Sequence, residues 1–329
     1  MILLSDGVES NMFTVIIKSI SFKESDAILM ESEAIKLILL PQSGGSIVSL
    51  QYKETGKEWL VETIGEGIRQ SSYNDTFSEA MMHGWDECFP TIDACSYPLP
   101  GHYNDVHLPD HGELWSVPWT YRMTEHSLIM ETKGQALPYS FTRTIRFIDA
   151  QTLKFSYSVI NHSNESITAF WCAHPLFSAT EHTQIRIPPE LEQVICVVGG
   201  KRYAQGRSYN WNQQEVDDNG IAIDRLATIA AQDSRKFYAD GHFATGQAGL
   251  HELNTGEYVQ LQWSVKELPY FGLWINEGHY NEKLMVALEP CNGYYDSLEE
   301  AHRRGKALTL EPNKAVKWSF DVKLGVDYP

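Results

Sequence analysis

Through long stretches of this chain every second side chain is apolar. Leu153, Phe155, Tyr157 and Val159 alternate with Lys154, Ser156 and Ser158. Val259, Leu261, Trp263 and Val265 alternate with Gln260, Gln262 and Ser264, and Trp318, Phe320, Val322 and Leu324 with Ser319, Asp321 and Lys323. A period of two is the mark of a strand with one buried face. Further strands are expected at 35–40, 47–52, 128–131, 141–148, 167–173 and 271–275. Turn signals separate them, among them Ser43-Gly44-Gly45, Asn161-His162-Ser163-Asn164, Asn254-Thr255-Gly256 and Glu311-Pro312-Asn313. Helical periodicity is scarce, and its best candidate is Ser297 to Arg304, closed by Gly305. Many short strands at close spacing predict an all-β, antiparallel sandwich or barrel. No linker or composition shift divides the chain, so a single domain over residues 1–329 is expected. The polar stretch 205–220 reads as a surface excursion.

Two apolar runs carry an ionisable residue. Phe170-Trp171-Cys172-Ala173-His174-Pro175-Leu176-Phe177 holds a histidine, and Leu284-Met285-Val286-Ala287-Leu288-Glu289-Pro290-Cys291 a glutamate. A proline follows each and is expected to stop the strand there. An unpaired buried charge is costly, so such a residue is either paired or lines a wet cleft. Histidine and glutamate suit general acid and base work. A third segment, Leu108-Pro109-Asp110-His111-Gly112-Glu113-Leu114-Trp115, gathers an imidazole, two carboxylates and an indole, which offers a flat face to a sugar.

His111-Gly112, the run through His174 and the late Ala287-Leu288-Glu289-Pro290 resemble, in type and order, the aldose 1-epimerase (galactose mutarotase-like) family. Trp85 to Ile92 and Pro269 to Asn276 resemble its less characterised bacterial and cyanobacterial branch. The resemblance spans nearly the whole chain. It implies a β-supersandwich with a ligand cleft on the concave face of one sheet, and interconversion of aldose anomers without metal or nucleotide. It assigns Glu289 as base, His174 as acid and His111 as a sugar-binding histidine. Where many members carry an arginine soon after His-Gly, this chain has Glu113-Leu114-Trp115, so substrate choice departs from the pattern. The family's middle-chain aspartate aligns with Asp233 or Asp240, while Lys236 is the alternative group reaching the cleft.

Further expected sugar contacts are Glu113, Trp115, Glu87, Lys236, Trp274 and Asn276. Asp86 and Glu87 read as a Gly-led loop that suits ligand binding or local capping, and Asn276 as part of a loop with Glu277 and His279. Arg143, on the apolar face of Phe141, Ile145 and Phe147, is expected to form a structural ion pair.

The chain has 329 residues, 43% hydrophobic and 21% charged, with a formal net charge of -17. That field argues against nucleic acid and anionic membranes, and fits a neutral carbohydrate as partner. Five widely spaced cysteines, with no CxxC pair, suggest a reduced, cytoplasmic protein. The N-terminus lacks a basic leader and a long apolar core, and no apolar run is long enough to span a bilayer. Two rival readings stand beside the epimerase: a sugar-binding module without useful turnover, and a metal-dependent isomerase or oxygenase. His107 and His111 have helical ligand spacing, but Pro109 between them argues against a helix, so no metal or other cofactor is expected.

Overall fold

The computed structural model describes residues 13–329, apart from 64, 66, 69, 212–214, 218, 241 and the side chain of Asp240. Among the described residues, antiparallel strands form a 13-stranded sheet, an 8-stranded sheet and two small pairs. The large sheet runs, in spatial order, through Ile16–Phe22, Ser25–Glu31, Ile35–Leu40, Ser46–Tyr52, Trp85–Cys88 and Cys172–Pro175. It continues through Leu284–Cys291, Tyr270–Glu277, Asp233–Asp240, Gln193–Val198 and Ser208–Asn210. The second sheet is built around Ala315–Val326, Thr152–Asn161 and Tyr139–Asp149. This is the expected antiparallel β-sandwich. No helix among the described residues is long and apolar enough to cross a membrane, which says nothing of a barrel that crosses with strands.

Aromatic side chains join the sheets. Trp85 of the large sheet stacks on Phe155 and Phe320 of the second, with ring centroids 5.1 and 5.8 Å apart. Trp171 meets Tyr157 at 4.7 Å and Trp318 at 5.4 Å. Each such ring takes roughly 200 Å² out of water, so this layer dominates the apolar stabilisation of the sandwich. Arg143 lies wholly inside it and meets Glu87, with Nη1 donating to Oε1 at 2.9 Å. Tyr157 and Trp171 donate to the same carboxylate at 2.9 and 2.8 Å. The ion pair expected for Arg143 is therefore present and fully hydrogen-bonded on its carboxylate side.

Several boundaries differ from the sequence reading. The strand expected over 167–173 divides: Ile167–Ala169 pairs with Leu308–Leu310, whereas Cys172–Pro175 joins the large sheet. The division falls where the Phe170 amide donates to Pro90 O and the Trp171 amide to the Asn292 side chain, which leaves these two residues outside both ladders. The expected loop at Asp86 and Glu87 is a strand, and so is the segment holding Asn276. Pro290 does not end its strand, since it faces Phe271 in the ladder and Cys291 continues it. Within the excursion at 205–220, Ser208–Asn210 adds an edge strand. The helix near the C-terminus spans Leu298–Arg303, with the Ser297 side chain accepting from the Glu300 amide as its cap. The twelve N-terminal residues lie outside the described part.

Candidate active site

Alternation in the central strands assigns each side chain to a face. In Trp85–Cys88, Trp85 and Glu87 point toward the second sheet, as their partners there show. Asp86 and Cys88 therefore project from the opposite face, and the register sets them against His174 and Cys172. On the other side of Cys172–Pro175 lies Leu284–Cys291. Cys172 opposes Cys291, and Phe177 opposes Val286 further along. The same register brings His174 opposite Glu289, within the interval where the ladder between these strands lapses. Glu289 in turn opposes Gly272, and Gly272 opposes Tyr238. Trp274 and Lys236 form the neighbouring row on the same face.

Gly272 is required by close approach. A Cβ there would lie 2.6 Å from Glu289 Oε2, so any larger residue would push the carboxylate aside.

Over this face folds the segment around His111. The His111 backbone is left-handed, with φ 57°. For a side chain with a Cβ this conformation costs about 1–3 kcal/mol, and such outliers gather at functional sites. Gly112 follows at φ 72°, and a Cβ on it would sit 2.1 Å from Phe89 O. The turn aims the His111 ring at His174, with centroids 4.8 Å apart. Phe77, on the short helix Phe77–Ala80, stacks flat on His111 at 4.1 Å and meets His174 edge-on at 4.9 Å. Asp110 accepts from Phe77 N and pairs with His111 Nδ1, each at 2.8 Å. Burial works against the Asp110 charge, but these bonds and the nearby imidazole hold its carboxyl below the usual range.

The cavity is about 230 Å³ and open to solvent on one side, lined by His111, His174, Lys236, Trp274 and Glu289 together with residues that the sequence reading did not select. Lys236 Nζ lies 2.9 Å from Glu289 Oε2 and 2.7 Å from Asp296 Oδ1. Tyr238 donates to the same Asp296 oxygen at 2.8 Å. Burial opposes the Lys236 charge, yet Asp296 and Glu289 hold the ammonium well above its usual range. Burial pushes the Glu289 carboxyl up, against the pull of Lys236. Its Oε1 is buried without a hydrogen-bond partner. Burial drives the His174 imidazole well below its ordinary value, with the His111 and Lys236 charges adding to the effect. His174 is thus neutral near pH 7. Its Nδ1 is buried and unpartnered, so Nε2 is the ring nitrogen open to the cavity.

Of the nine candidate residues, His174, Glu289, His111, Lys236 and Trp274 come together here, and four do not line the cavity. Glu87 is consumed by Arg143, Tyr157 and Trp171 inside the sandwich. Glu113 accepts from the amides of Gln135 and Ala136 and the hydroxyls of Tyr73 and Tyr139, and so pins a turn of the second sheet. Trp115 is 1% exposed, donates from Nε1 to Asp110 O and props up Phe77 from behind. Asn276 is also buried: it binds Lys283 O and the amides of His279 and Tyr280, and so acts one step removed by shaping the loop that brings Tyr280 to the cavity. Asp233 serves Arg202 and the Lys201 amide instead of the cavity, and the Asp240 side chain is outside the described residues. The sequence reading missed Asp296, Asp93, Phe77 and Tyr280 as cavity residues. Asp296 had the only usable signal, a carboxylate beside two tyrosines, but its place next to a helix cap made it look like ordinary capping.

Cys88, His111 and His174 bring three potential ligand atoms within 4.8 Å of one another. Tetrahedral zinc, with bonds of about 2.0–2.3 Å, draws its ligands closer than that. As placed, the three atoms are not drawn in as a tetrahedral zinc site would hold them.

No model of a protein family matches the sequence, and no curated protein matches it either. Solved structures do match. A galactose mutarotase related enzyme from Lactobacillus acidophilus aligns over 95% of this chain and 98% of its own, at TM-score 0.65 and 15% identity. A galactose mutarotase-like protein from Clostridium acetobutylicum aligns over 95% and 99%, at TM-score 0.68 and 16% identity. Another, from Lactobacillus casei, aligns over 91% and 100%, at TM-score 0.66 and 14% identity. Identities this low carry the fold and nothing finer.

Proposed function

We propose that this chain, which has the galactose mutarotase-like fold, interconverts the α and β anomers of a neutral aldose by general acid and base catalysis. The observation that carries the reading is the opposition of His174 and Glu289 across one cavity, on neighbouring strands whose ladder lapses between them. Glu289 takes the proton from the hydroxyl on C1 while His174 protonates the ring oxygen. The bond between C1 and the ring oxygen breaks, its electron pair stays on that oxygen, and an open-chain aldehyde forms. Rotation about C1–C2 presents the other carbonyl face, and closure by the reverse transfers yields the other anomer.

The supporting groups have matching roles. Lys236 favours the ionised form of Glu289 that a base requires, and His111, fixed by Asp110, is within reach of a sugar hydroxyl. Trp274 and Tyr280 give the apolar faces on which a pyranose rests. The cycle has no step that calls for a metal or nucleotide. A net charge of -17 suits a neutral sugar over nucleic acid, a membrane or a phosphorylated one. The five free thiols fit a reducing compartment such as the cytoplasm. On this reading the whole chain works as one unit.

The ion pair from Lys236 to Glu289 favours a second reading, since a base held by an ammonium is less basic. In that case the protein binds sugars and turns them over slowly. Proton NMR of freshly dissolved aldoses separates the two. The first reading requires faster exchange of the anomeric signals, undiminished by chelator. Saturable binding without acceleration for any aldose supports the second.

A further inference from the structure

The polar row through His174 and Glu289 extends in the other direction. Ile47 opposes Trp85, so one step along this antiparallel register sets Ser46 opposite Asp86, and Asp86 opposes His174. Directly opposed residues project from one face with Cβ atoms about 5 Å apart. Asp86 is 1% exposed, and neither of its carboxylate oxygens has a hydrogen-bond partner. The buried cation that acts on it, Arg143, is committed to Glu87 on the other face of the strand. His174 Nδ1, across the ladder, is also buried and unpartnered. Leaving such atoms unmet is costly, so the pairing of these two groups has a physical drive.

The epimerase chemistry needs what His174 alone lacks. A neutral imidazole that gives up its Nε2 proton becomes an imidazolate, unless a proton reaches Nδ1 at the same time. We propose that Asp86 is the positioning residue behind His174 and holds the proton that arrives at Nδ1 as the ring protonates the sugar. This rests on the epimerase reading above. On opening, the Nε2–H bond breaks as the bond from hydrogen to the sugar's ring oxygen forms, and the Asp86 proton moves to Nδ1. Asp86 becomes a carboxylate while Glu289 becomes a carboxylic acid, so the net charge of the site is unchanged. Closure reverses every transfer.

Burial supports this assignment by pushing the Asp86 carboxyl up to about 8, so that it carries a proton at neutral pH. Against burial, the Ser46 hydroxyl on the adjoining strand and then Arg143 lower it, while Glu87 beside it raises it further. Around His174 stand His111 from the overlying turn, Lys236 from Asp233–Asp240, Glu289 opposite and Cys88 on the strand of Asp86.

The test is the pH profile of anomer exchange for the wild type and for Asp86→Asn. Wild-type activity should fall as pH rises through about 8. The variant should be roughly ten- to a hundred-fold slower near neutrality. Its alkaline limb should move below 6.5, the ordinary value for the histidine it leaves unsupported. An unmoved limb, whatever the loss of rate, would overturn the proposal, because a purely structural Asp86 would lower activity evenly across pH. Nitrogen-15 NMR of the His174 ring in the wild type gives an independent reading. An inflection near pH 8 is expected, and its absence would sink the pairing even if the variant does not fold. If the wild type speeds no aldose, the epimerase reading fails by itself, and the ring titration still decides whether Asp86 and His174 share a proton.

Discussion

At the scale of single residues, the site is defined by what each carboxylate has already spent. Glu87 and Glu113 have every oxygen engaged, whereas Glu289 keeps Oε1 without a partner. Glu289→Gln should therefore lower anomer exchange by roughly a hundred-fold or more while sugar binding persists, as NMR exchange and titration would show. Full activity in that variant would remove Glu289 as the base. Gly272→Ala tests the same carboxylate from below, since the added methyl would meet Oε2. It should damage turnover more than it lowers Tm, and equal rates would mean that Glu289 can step aside freely. Arg143→Met leaves Glu87 buried with no cation and should cost about 3–5 kcal/mol in urea unfolding.

At the scale of elements, legibility follows burial. Strands with one face in the core and one in solvent, such as Thr152–Asn161 and Ala315–Val326, keep a clean period of two and could be read from sequence. Trp85–Cys88 is buried on both faces, and its Asp86 and Glu87 looked like loop polarity because charges seldom enter a covered strand. Asp233–Asp240 escaped for the same reason, with Asp233, Arg235 and Lys236 all buried and paired. His174 and Glu289 were visible because each interrupts an apolar run. Asp296 and Phe77 were not, since only tertiary contact brings them to the cavity. The helix Phe77–Ala80 has one buried residue, Phe77, whose ring packs on His111 and whose amide donates to Asp110. Phe77→Ala should cost about 3 kcal/mol, the low end for a buried phenylalanine because so short an element can relax. It should also raise KM for the sugar by loosening His111. An unchanged KM would show that the turn holds without its stacking partner.

At the scale of the whole molecule, the buried face of the large sheet makes stability depend on pH. In the fold Asp86 sits at about 8, against 3.8 for an ordinary aspartate. The folded chain therefore keeps a proton that the unfolded chain loses between those values. Its contribution is full below 3.8 and is lost as pH rises through about 8. Wild-type Tm should fall as pH rises from about 4 to about 8 and level off above that, and Asp86→Asn should flatten the fall. An equal fall in both proteins would place the alkaline sensitivity elsewhere.

The polar row has a kinetic corollary. Ser46, Asp86, His174, Glu289 and Tyr238 come from five strands whose order in the sheet is not their order in the chain. No fragment short of residues 46–289 contains the row, and contacts of such long range form late and slowly. During refolding from urea, secondary structure should return before the site does. Sugar affinity should then appear in step with the final packing of the tryptophans between the sheets, never ahead of it.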